Sequence, residues 1–368
     1  MAVRQGALEG VVKDFWRGRR VFLTGHTGFK GGWLALWLQK LGATVTGYSL
    51  PPSTNPSLFE LARIADGMRS IIGDINRLAD LQRAMERAQP EVVMHLAAQP
   101  LVHGGYDEPV STYMTNVMGT VHLLEAVRGT PGVRAVVVVT TDKCYENRDL
   151  VTAFREDDRL GGYDPYSNSK ACAELVAAAY RSSYFNPNRH QEHGIAVATA
   201  RAGNVIGGGD WNKDRLVPDV LRAIEAGTPA AIRHPHAVRP WQHVLEPLHG
   251  YLILAERLCS EGAAFAEGWN FGLPDEDATT VEWIVEQLTR RWPHALGWKP
   301  DGLTRPPEAQ HLKLDCSKAR ARLGWAPRLS LDNTIDWIVD WHREHSRKGD
   351  MRAVSERQLE AFEKLAAP

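Results

Sequence analysis

The stretch Thr24-Gly25-His26-Thr27-Gly28-Phe29-Lys30-Gly31-Gly32 decides the fold. It follows the apolar run Val21-Phe22-Leu23 and leads directly into Trp33-Leu34-Ala35-Leu36. A strand, a turn with glycines at 25, 28 and 31, and then a helix make a known frame for a dinucleotide. The first glycine permits the tight turn, and the second lets backbone N–H groups approach a pyrophosphate. The third lets the helix pack close to the strand, and the helix N-terminus then favours negative charge. A glycine-rich turn alone is weak evidence, so the surrounding pattern must agree with it.

It does. Short β-branched runs recur at Thr44–Tyr48, Ser70–Ile72, Val92–Leu96, Ala135–Thr140 and Ile195–Thr199. Segments with helical spacing separate most of them, among them Leu34–Leu41, Leu78–Arg87 and Tyr113–Val127. This alternation predicts an α/β fold, a Rossmann-type doubly wound parallel sheet with helices on both faces. The all-apolar runs Ala135–Val139 and Val92–Leu96 read as strands buried on both sides. After about residue 204, Gly, Pro, His and Trp punctuate shorter segments, which predicts a smaller mixed α/β C-terminal lobe for substrate. The expected organisation is a dinucleotide-binding domain over residues 1–203, with its core from about 19. Residues 204–350 are expected to form mainly the substrate lobe, with segments returning to the first domain, and 351–368 a solvated tail.

The chain has 368 residues, 43 Lys+Arg against 44 Asp+Glu, and four cysteines. A formal charge of -1 gives no global field for nucleic acid or an anionic membrane, so an anionic ligand needs a local cluster of donors. No stretch approaches a membrane span, and Met1–Gly10 lacks the pattern of a signal peptide, so a cytoplasmic protein is expected. Cys144, Cys172, Cys259 and Cys316 form no CxxC pair, and the pairs His190/His193 and His234/His236 lack a third ligand. No metal is expected.

At the end of the second strand, Tyr48-Ser49 offers no carboxylate for ribose hydroxyls and no adjacent arginine for a 2′-phosphate. These residues do not choose between NAD and NADP. Asp74 can accept a hydrogen bond from an adenine amine or serve as a helix cap. Leu96-Ala97-Ala98-Gln99 is small enough for a cofactor to lie against. Two further features stand where ligands bind in open α/β sheets, at Thr140-Thr141-Asp142-Lys143 and at Tyr166-Ser167-Asn168-Ser169-Lys170. A tyrosine and a lysine four apart share one helix face, so the ammonium can favour phenolate and make Tyr166 a base.

The glycine turn resembles the TGxxGxxG of the extended short-chain dehydrogenase/reductase family. Longer strings resemble its CDP-glucose 4,6-dehydratase branch: Ala97-Ala98-Gln99-Pro100-Leu101-Val102, Thr141-Asp142-Lys143-Cys144-Tyr145 and Gly161-Gly162-Tyr163-Asp164-Pro165-Tyr166-Ser167. So do Arg201–Trp211, Asp214–Asp219 and Arg239-Pro240-Trp241-Gln242-His243-Val244, and the likeness runs from about residue 19 to about 345. The resemblance implies a hydro-lyase with tightly bound NAD. It would oxidise C4 of CDP-D-glucose, eliminate water across C5 and C6, and return the hydride to C6, giving CDP-4-dehydro-6-deoxy-D-glucose. Such a product feeds deoxysugars of cell-surface polysaccharide, including the O-antigen of lipopolysaccharide.

In that scheme Tyr166, supported by Lys170, is the base at the C4 hydroxyl, and Thr141 hydrogen-bonds the same oxygen. Asp142 would donate a proton to the C6 hydroxyl, a role that requires burial. Lys143 stands where the dTDP-glucose dehydratases carry Glu. It would be the C5 base if its amine were neutral, and otherwise a partner of the enolate oxygen. The resemblance places Gly25, Thr27, Gly28, Phe29, Lys30 and Ser49 at the cofactor, with Asp74, Ile75, Leu96, Ala97, Ala98 and Thr140. On the substrate side it implies Gln99, Asn204 and the backbone of Leu216 and Val217. Arg239 is the first candidate pyrophosphate ligand and Arg215 the second, because arginine offers a bidentate fork, and for Arg215 the other reading is a surface salt bridge. Trp211 and Trp241 would stack on the base or fill the core, and at least one is expected in the core. His103-Gly104-Gly105 departs from the family, where a basic residue and a serine usually stand, and this puts the sugar specificity in question. A homodimer, and in some relatives a tetramer, is implied through helices at Tyr113–Val127 and Ala171–Tyr184. The competing functions are a nucleotide-sugar 4-epimerase, which has no need of Asp142-Lys143, and a non-catalytic dinucleotide sensor, which has no need of Tyr166.

Overall fold

The computed structural model describes residues 11, 13–147, 152–273, 278–302 and 312–365. Met1–Gly10, on which the reading of the N-terminus rests, lies outside them. Strand β1 (Arg20–Thr24) feeds helix α1 (Phe29–Lys40), and the order continues β2 (Thr44–Ser49), β3 (Arg69–Ile72), α2 (Leu78–Ala88), β4 (Val92–His95), α3 (Gly119–Arg128) and β5 (Ala135–Val139). Helix α4 (Pro165–Ser183), β6 (Ala196–Arg201), α5 (Leu216–Glu225), α6 (Leu245–Glu261) and β7 (Gly268–Asn270) follow. Beyond them lie α7 (Val281–Arg290), α8 (Leu331–Ser346) and α9 (Met351–Lys364).

The strands form one seven-stranded sheet in the order β7-β6-β5-β4-β1-β2-β3, and all its pairings are parallel. The order reverses between β1 and β4, and the crevice beyond the strand ends at that point is where an open α/β sheet binds its ligand. Every residue of β5 is buried, as expected of a central parallel strand covered on both faces. Each buried valine there contributes roughly 1.5–3 kcal/mol relative to exposure.

The second lobe has its own core, in which Val220 and Leu221 of α5 meet Ile284 and Leu288 of α7 and Ile335 and Ile338 of α8. Its strands are short pairs, including Val205–Ile206 with Gln242–His243 and Val238–Arg239 with Thr279–Thr280. Strand β7 extends the main sheet beside β6, and α6 contacts β5. A cut at residue 203 therefore separates site residues, not independent bodies.

The tail expected over 351–368 is instead a packed helix as far as it is described. Asp350 caps α9 by accepting from the backbone N–H groups of Arg352 and Ala353, and Met351, Val354, Leu359 and Phe362 are buried. The Phe362 ring stands edge-on to Trp37 at 5.6 Å, while Trp37 Nε1 donates to Glu363 Oε1 at 3.0 Å. The i, i+3, i+4 spacing of these apolar residues carried this signal. It was overridden by the exposed charges between them. The single helix expected at Tyr113–Val127 is also subdivided, into Pro109–Tyr113, a π-helical turn Met114–Met118, and α3.

Candidate active site

A cleft of about 1440 Å³ runs between the sheet's C-terminal edge and the second lobe. At one end the glycine turn is shaped by what cannot be added to it. A Cβ on Gly31 would lie 2.0 Å from the Gly25 carbonyl oxygen, and one on Gly25 would lie 2.7 Å from Ala97 N. Gly25 also sits at φ +78°, where a side chain is strained. At Gly28, by contrast, a Cβ would meet only the Gly25 oxygen at 3.5 Å. Its absence leaves room on the cleft side, since Gly28 lines the cleft. Gly28 is also the N-cap of α1 and provides no side-chain cap, so the first N–H groups of the helix remain available to an anion. Phe29 and Lys30 open that helix.

The rest of this end is small. Thr27 Oγ1 donates to the Leu50 carbonyl at 2.8 Å and lies 2.8 Å from Ser49 Oγ, so the end of β2 is closed by hydroxyls and no carboxylate. Thr24 Oγ1 accepts from the backbone N–H groups of Leu96 and Ala97, both at 3.2 Å, which ties β1 to the turn after β4. Asp74 is not a helix cap, because α2 is capped at Arg77. It accepts from Asn76 N at 2.9 Å and lines the cleft with Ile75, Leu96, Ala97 and Ala98. Backbone donors, space at Gly28 and a floor without bulky side chains together fit an extended dinucleotide.

Catalytic candidates line the middle of the cleft. Asp164 accepts from Ser167 N at 3.0 Å and caps α4, with Pro165 in the first turn. This places Tyr166, Lys170 and Glu174 at successive positions of one helix face. Asp142 is 2% exposed; Thr141 Oγ1 donates to its Oδ1 at 2.9 Å, and Asn204 Nδ2 donates to its Oδ2 at 3.3 Å. A Cβ on Gly203 would stand 1.8 Å from Oδ2, so the carboxylate occupies space that only glycine leaves open. Lys143, half-buried, lines the same wall.

The expected effect of Lys170 on Tyr166 is not what the geometry gives. Lys170 Nζ donates to the Val139 carbonyl at 3.1 Å. Burial pushes the Tyr166 phenol up to about 12; the Thr141 hydrogen bond and Arg215 lower it, while Asp142 and Asp164 raise it. Desolvation thus dominates both members of the pair, for Lys170 is brought down to about 8 by burial against the opposing pull of Glu174. Lys30 is lowered further, to about 7, by burial and then by the cations of Arg215 and Lys170, with Asp142 opposing.

The sequence reading missed the network behind this wall. Glu174 Oε1 accepts from Thr140 Oγ1 at 2.5 Å, and its Oε2 accepts from Thr199 Oγ1 at 2.6 Å and Arg201 Nη2 at 2.8 Å. Arg201 Nη1 donates to the Tyr145 hydroxyl, which donates to Asn270 Oδ1, both at 2.7 Å. Glu174 lies four residues beyond Lys170, and that spacing was the available signal. Thr140 therefore spends its hydroxyl on this frame.

At the far end, Arg215 Nη1 donates to the nearly buried Asp210 at 2.9 Å. Arg239 is 6% exposed and gives Nη1 to the Val238 carbonyl at 2.9 Å. Both line the cleft, with Leu216 and Val217 at the start of α5. Gln99 lines it too, but its amide is committed to Leu101 and Thr112. Trp241 belongs to the lobe's core and Trp211 packs edge-on to Trp341 at 5.4 Å, and both also line the cleft. His103 meets Arg233 from the opposite lobe, with Nε2 2.6 Å from Nη1. Among the described residues no group of three or more His, Cys, Asp or Glu is placed to hold a metal ion, and no helix is long and apolar enough to cross a membrane.

Residues 22–338 match a family model described as GDP-mannose 4,6 dehydratase. The chain is 55% identical over 350 residues to the CDP-glucose 4,6-dehydratase of Salmonella typhimurium, covering 95% of this chain and 98% of that one. It is 27% identical over 338 residues to a dTDP-glucose 4,6-dehydratase of Xanthomonas campestris pv. campestris, covering 87% and 92%. A UDP-glucose 4-epimerase of Thermotoga maritima, solved with UDP-glucose, superposes with a TM-score of 0.75 at 22% identity, covering 89% and 99%. A double mutant of a Streptomyces venezuelae dTDP-glucose 4,6-dehydratase, solved with NAD and DAU bound, gives 0.73 at 23%, covering 90% and 99%. These two structures speak for the shared fold. By its sequence over most of its length, the chain belongs to the GDP-mannose 4,6 dehydratase family of the extended short-chain dehydrogenases/reductases.

Proposed function

We propose that the protein is an NAD-dependent hydro-lyase that converts CDP-D-glucose to CDP-4-dehydro-6-deoxy-D-glucose and water. The observation that carries this reading is the buried carboxyl of Asp142, hydrogen-bonded to Thr141 beside Tyr166. Simple C4 oxidation needs only the Tyr166 side of this wall. A carboxyl held one residue away answers to a second task, protonation of a leaving hydroxyl. The 55% identity to a CDP-glucose 4,6-dehydratase supports the same substrate.

The end of the cleft with the glycine turn fits NAD, which the N-terminus of α1 and the turn after β4 would hold; bound there, it would supply the acceptor for the C4 hydride, its donor to C6, and positive charge beside Tyr166. Tyr166 accepts the proton of the C4 hydroxyl, and Thr141 holds the same oxygen. Lys170 adds positive charge beneath the wall, with its Nζ fixed on Val139. Asp142 protonates the C6 hydroxyl as water leaves, while Lys143 takes the C5 proton and later returns it. Asn204, the N-terminus of α5 and the arginines Arg215 and Arg239 receive the diphosphate. Arg215 comes to it already oriented by Asp210, so less side-chain freedom is lost on binding. Trp211 is placed to meet the base, and Gln99 shapes the wall through its backbone.

Two further features belong to this reading. The chain is cytoplasmic, where sugar nucleotides are made, and its product supplies deoxysugars for cell-surface polysaccharide. It is a homodimer. Val110, Tyr113, Met114 and Met118 on one side and Leu175 of α4 with Tyr184 at its C-cap on the other leave an apolar surface open to water, with Val110 76% exposed. Such a patch points to association, and sedimentation as a monomer at micromolar concentration would remove it.

Purified protein incubated with CDP-glucose and followed by proton NMR tests the reaction. A new C6 methyl doublet is the expected result. Inversion at C4 would make it an epimerase, and an unchanged sugar would make it a binding protein.

A further inference from the structure

The stretch His103-Gly104-Gly105 joins the two sides of the cleft. It belongs to the short helix Val102–Asp107, which packs on the catalytic wall through its glycines. A Cβ on Gly105 would stand 2.9 Å from Tyr166 N, and one on Gly104 would stand 3.3 Å from the side-chain amide of Gln99. Main chain therefore lies on main chain here, and in a close-packed interior Tyr166 and this helix move together. His103, half-buried, is carried on the same turn and lines the cleft.

From the second lobe, Arg233 follows the strand Ala230–Ile232 and lines the same cleft. Its guanidinium serves two sets of partners. Nη2 pairs with Asp214 and lies 3.7 Å from Asp219 Oδ2, while Nη1 donates to His103 Nε2 at 2.6 Å. A guanidinium has no acceptor, so His103 Nε2 must be the accepting nitrogen of this pair. The two acids flank the start of α5: Asp214 precedes its N-cap, Arg215, and Asp219 stands in its first turn. Asp214 adopts φ +64°, a backbone uncommon for a residue with a side chain, and Arg233 anchors it there. A line of packed and bonded groups thus runs from Tyr166 through Gly105, His103 and Arg233 to the N-terminus of α5, the end of the cleft that receives the diphosphate in the reaction proposed above.

We propose that His103 and Arg233 are positioning residues whose bridge sets the spacing between the diphosphate seat at the start of α5 and the reacting wall at Tyr166. This rests on the dehydratase reading. The hexose spans that gap, because C1 hangs from the diphosphate while the C4 hydroxyl must meet Tyr166. A pyranose ring is stiff along this axis, so the spacing decides which part of the sugar is presented to the wall. Neither residue exchanges a proton or an electron with the substrate. With the bridge cut, Arg215, Arg239 and the N–H groups of α5 still receive the diphosphate, so the sugar nucleotide binds but its C4 is misplaced. A misplacement of about 1 Å is enough to cost about 10²-fold in rate.

The test is a double-mutant cycle on the complete chain supplied with NAD: His103→Ala, Arg233→Lys, the two together, and His103→Gln. Lysine keeps a cation beside Asp214 and Asp219 but lacks the fork that serves both sides, and glutamine returns an acceptor near the place of Nε2. Conversion of CDP-glucose is followed by the C6 methyl signal, and binding is measured with CDP, which carries the diphosphate and no hexose. Expected is a fall of about 10–100-fold in kcat for each single variant, with KM and the CDP Kd changed by less than about threefold. The double variant should be no slower than the singles, because both remove the same bridge, and His103→Gln should recover most of kcat. An unchanged kcat, losses that multiply in the double variant, KM or the CDP Kd rising as much as kcat falls, or a His103→Gln enzyme as slow as His103→Ala would each overturn the proposal. Wild-type protein that forms no methyl product from CDP-glucose would sink the dehydratase reading itself, which is a separate and visible outcome.

Discussion

The two ends of the cleft are built by opposite means. At the glycine turn the working parts are backbone N–H groups and empty space, and the residues that matter are those lacking a side chain: Gly25, Gly28 and Gly31. At the catalytic wall the working parts are side chains from β5, α4, β6 and the turns after them, each held by another: Thr141 to Asp142, Asn204 to Asp142, Thr140 and Arg201 to Glu174. The first is a local structure that a contiguous string specifies. The second is a buried polar network, in which one missing member leaves others unpaired in a medium where that is costly.

Removing the centre of the network should break the comparison hardest. Glu174→Ala leaves Arg201 charged and buried, and urea unfolding should show a loss of about 3–5 kcal/mol. A loss below about 1 kcal/mol would mean the wall does not depend on it. Next comes pH. Burial lowers His26 to about 4 and His95, His243, His249 and His342 to about 3, from 6.5. The unfolded chain therefore binds more protons between those values, and their contribution, complete above pH 6.5, is lost as pH falls towards 3–4. Glu246, raised by burial to about 7 from 4.5, acts in the opposite sense, because its contribution is present at low pH and is lost as pH rises through 7. The histidines outnumber it, so stability should fall between pH 7.5 and 5.5, by about 1.4 kcal/mol per pH unit for each net proton. Unchanged unfolding midpoints over that interval would contradict it.

At the other end, Gly31→Ala forces a methyl onto the Gly25 carbonyl, and should cost roughly 1–3 kcal/mol together with much of the cofactor affinity. If NAD titration gave wild-type affinity, the close approach would not matter to the cofactor. The smallest change is Ser49→Asp, which adds the carboxylate that the end of β2 lacks. It should tighten NAD by roughly 1 kcal/mol, the order of one hydrogen bond, and a weaker affinity would show that the Thr27–Ser49 hydroxyl pair is itself required.

Legibility followed the same division. The β1–α1 turn, the parallel sheet and the Tyr166/Lys170 pair could be read from spacing because each depends on neighbours within a few residues. Asp142 was visible as a position, but its enclosure by Gly203 and Asn204 was not, since those lie some 60 residues along the chain. Trp241 entering the core, and α9 closing on Trp37 instead of trailing into solvent, likewise depend on partners far away in sequence. The direction of the Lys170 ammonium was misjudged for the same reason: helix spacing says which face a residue occupies, whereas its hydrogen-bond partner is set by whatever the fold brings to that face.

By itself, then, the sequence determined the layered α/β architecture, the glycine-rich turn and the candidates for the catalytic groups, because periodicity, glycine placement and short-range motifs are local. Only the tertiary structure decided which of those groups touch. The bond from Asn204 to Asp142 and the ion pair of Glu174 with Arg201 exist because burial brings distant segments together and makes an unpaired polar atom there costly.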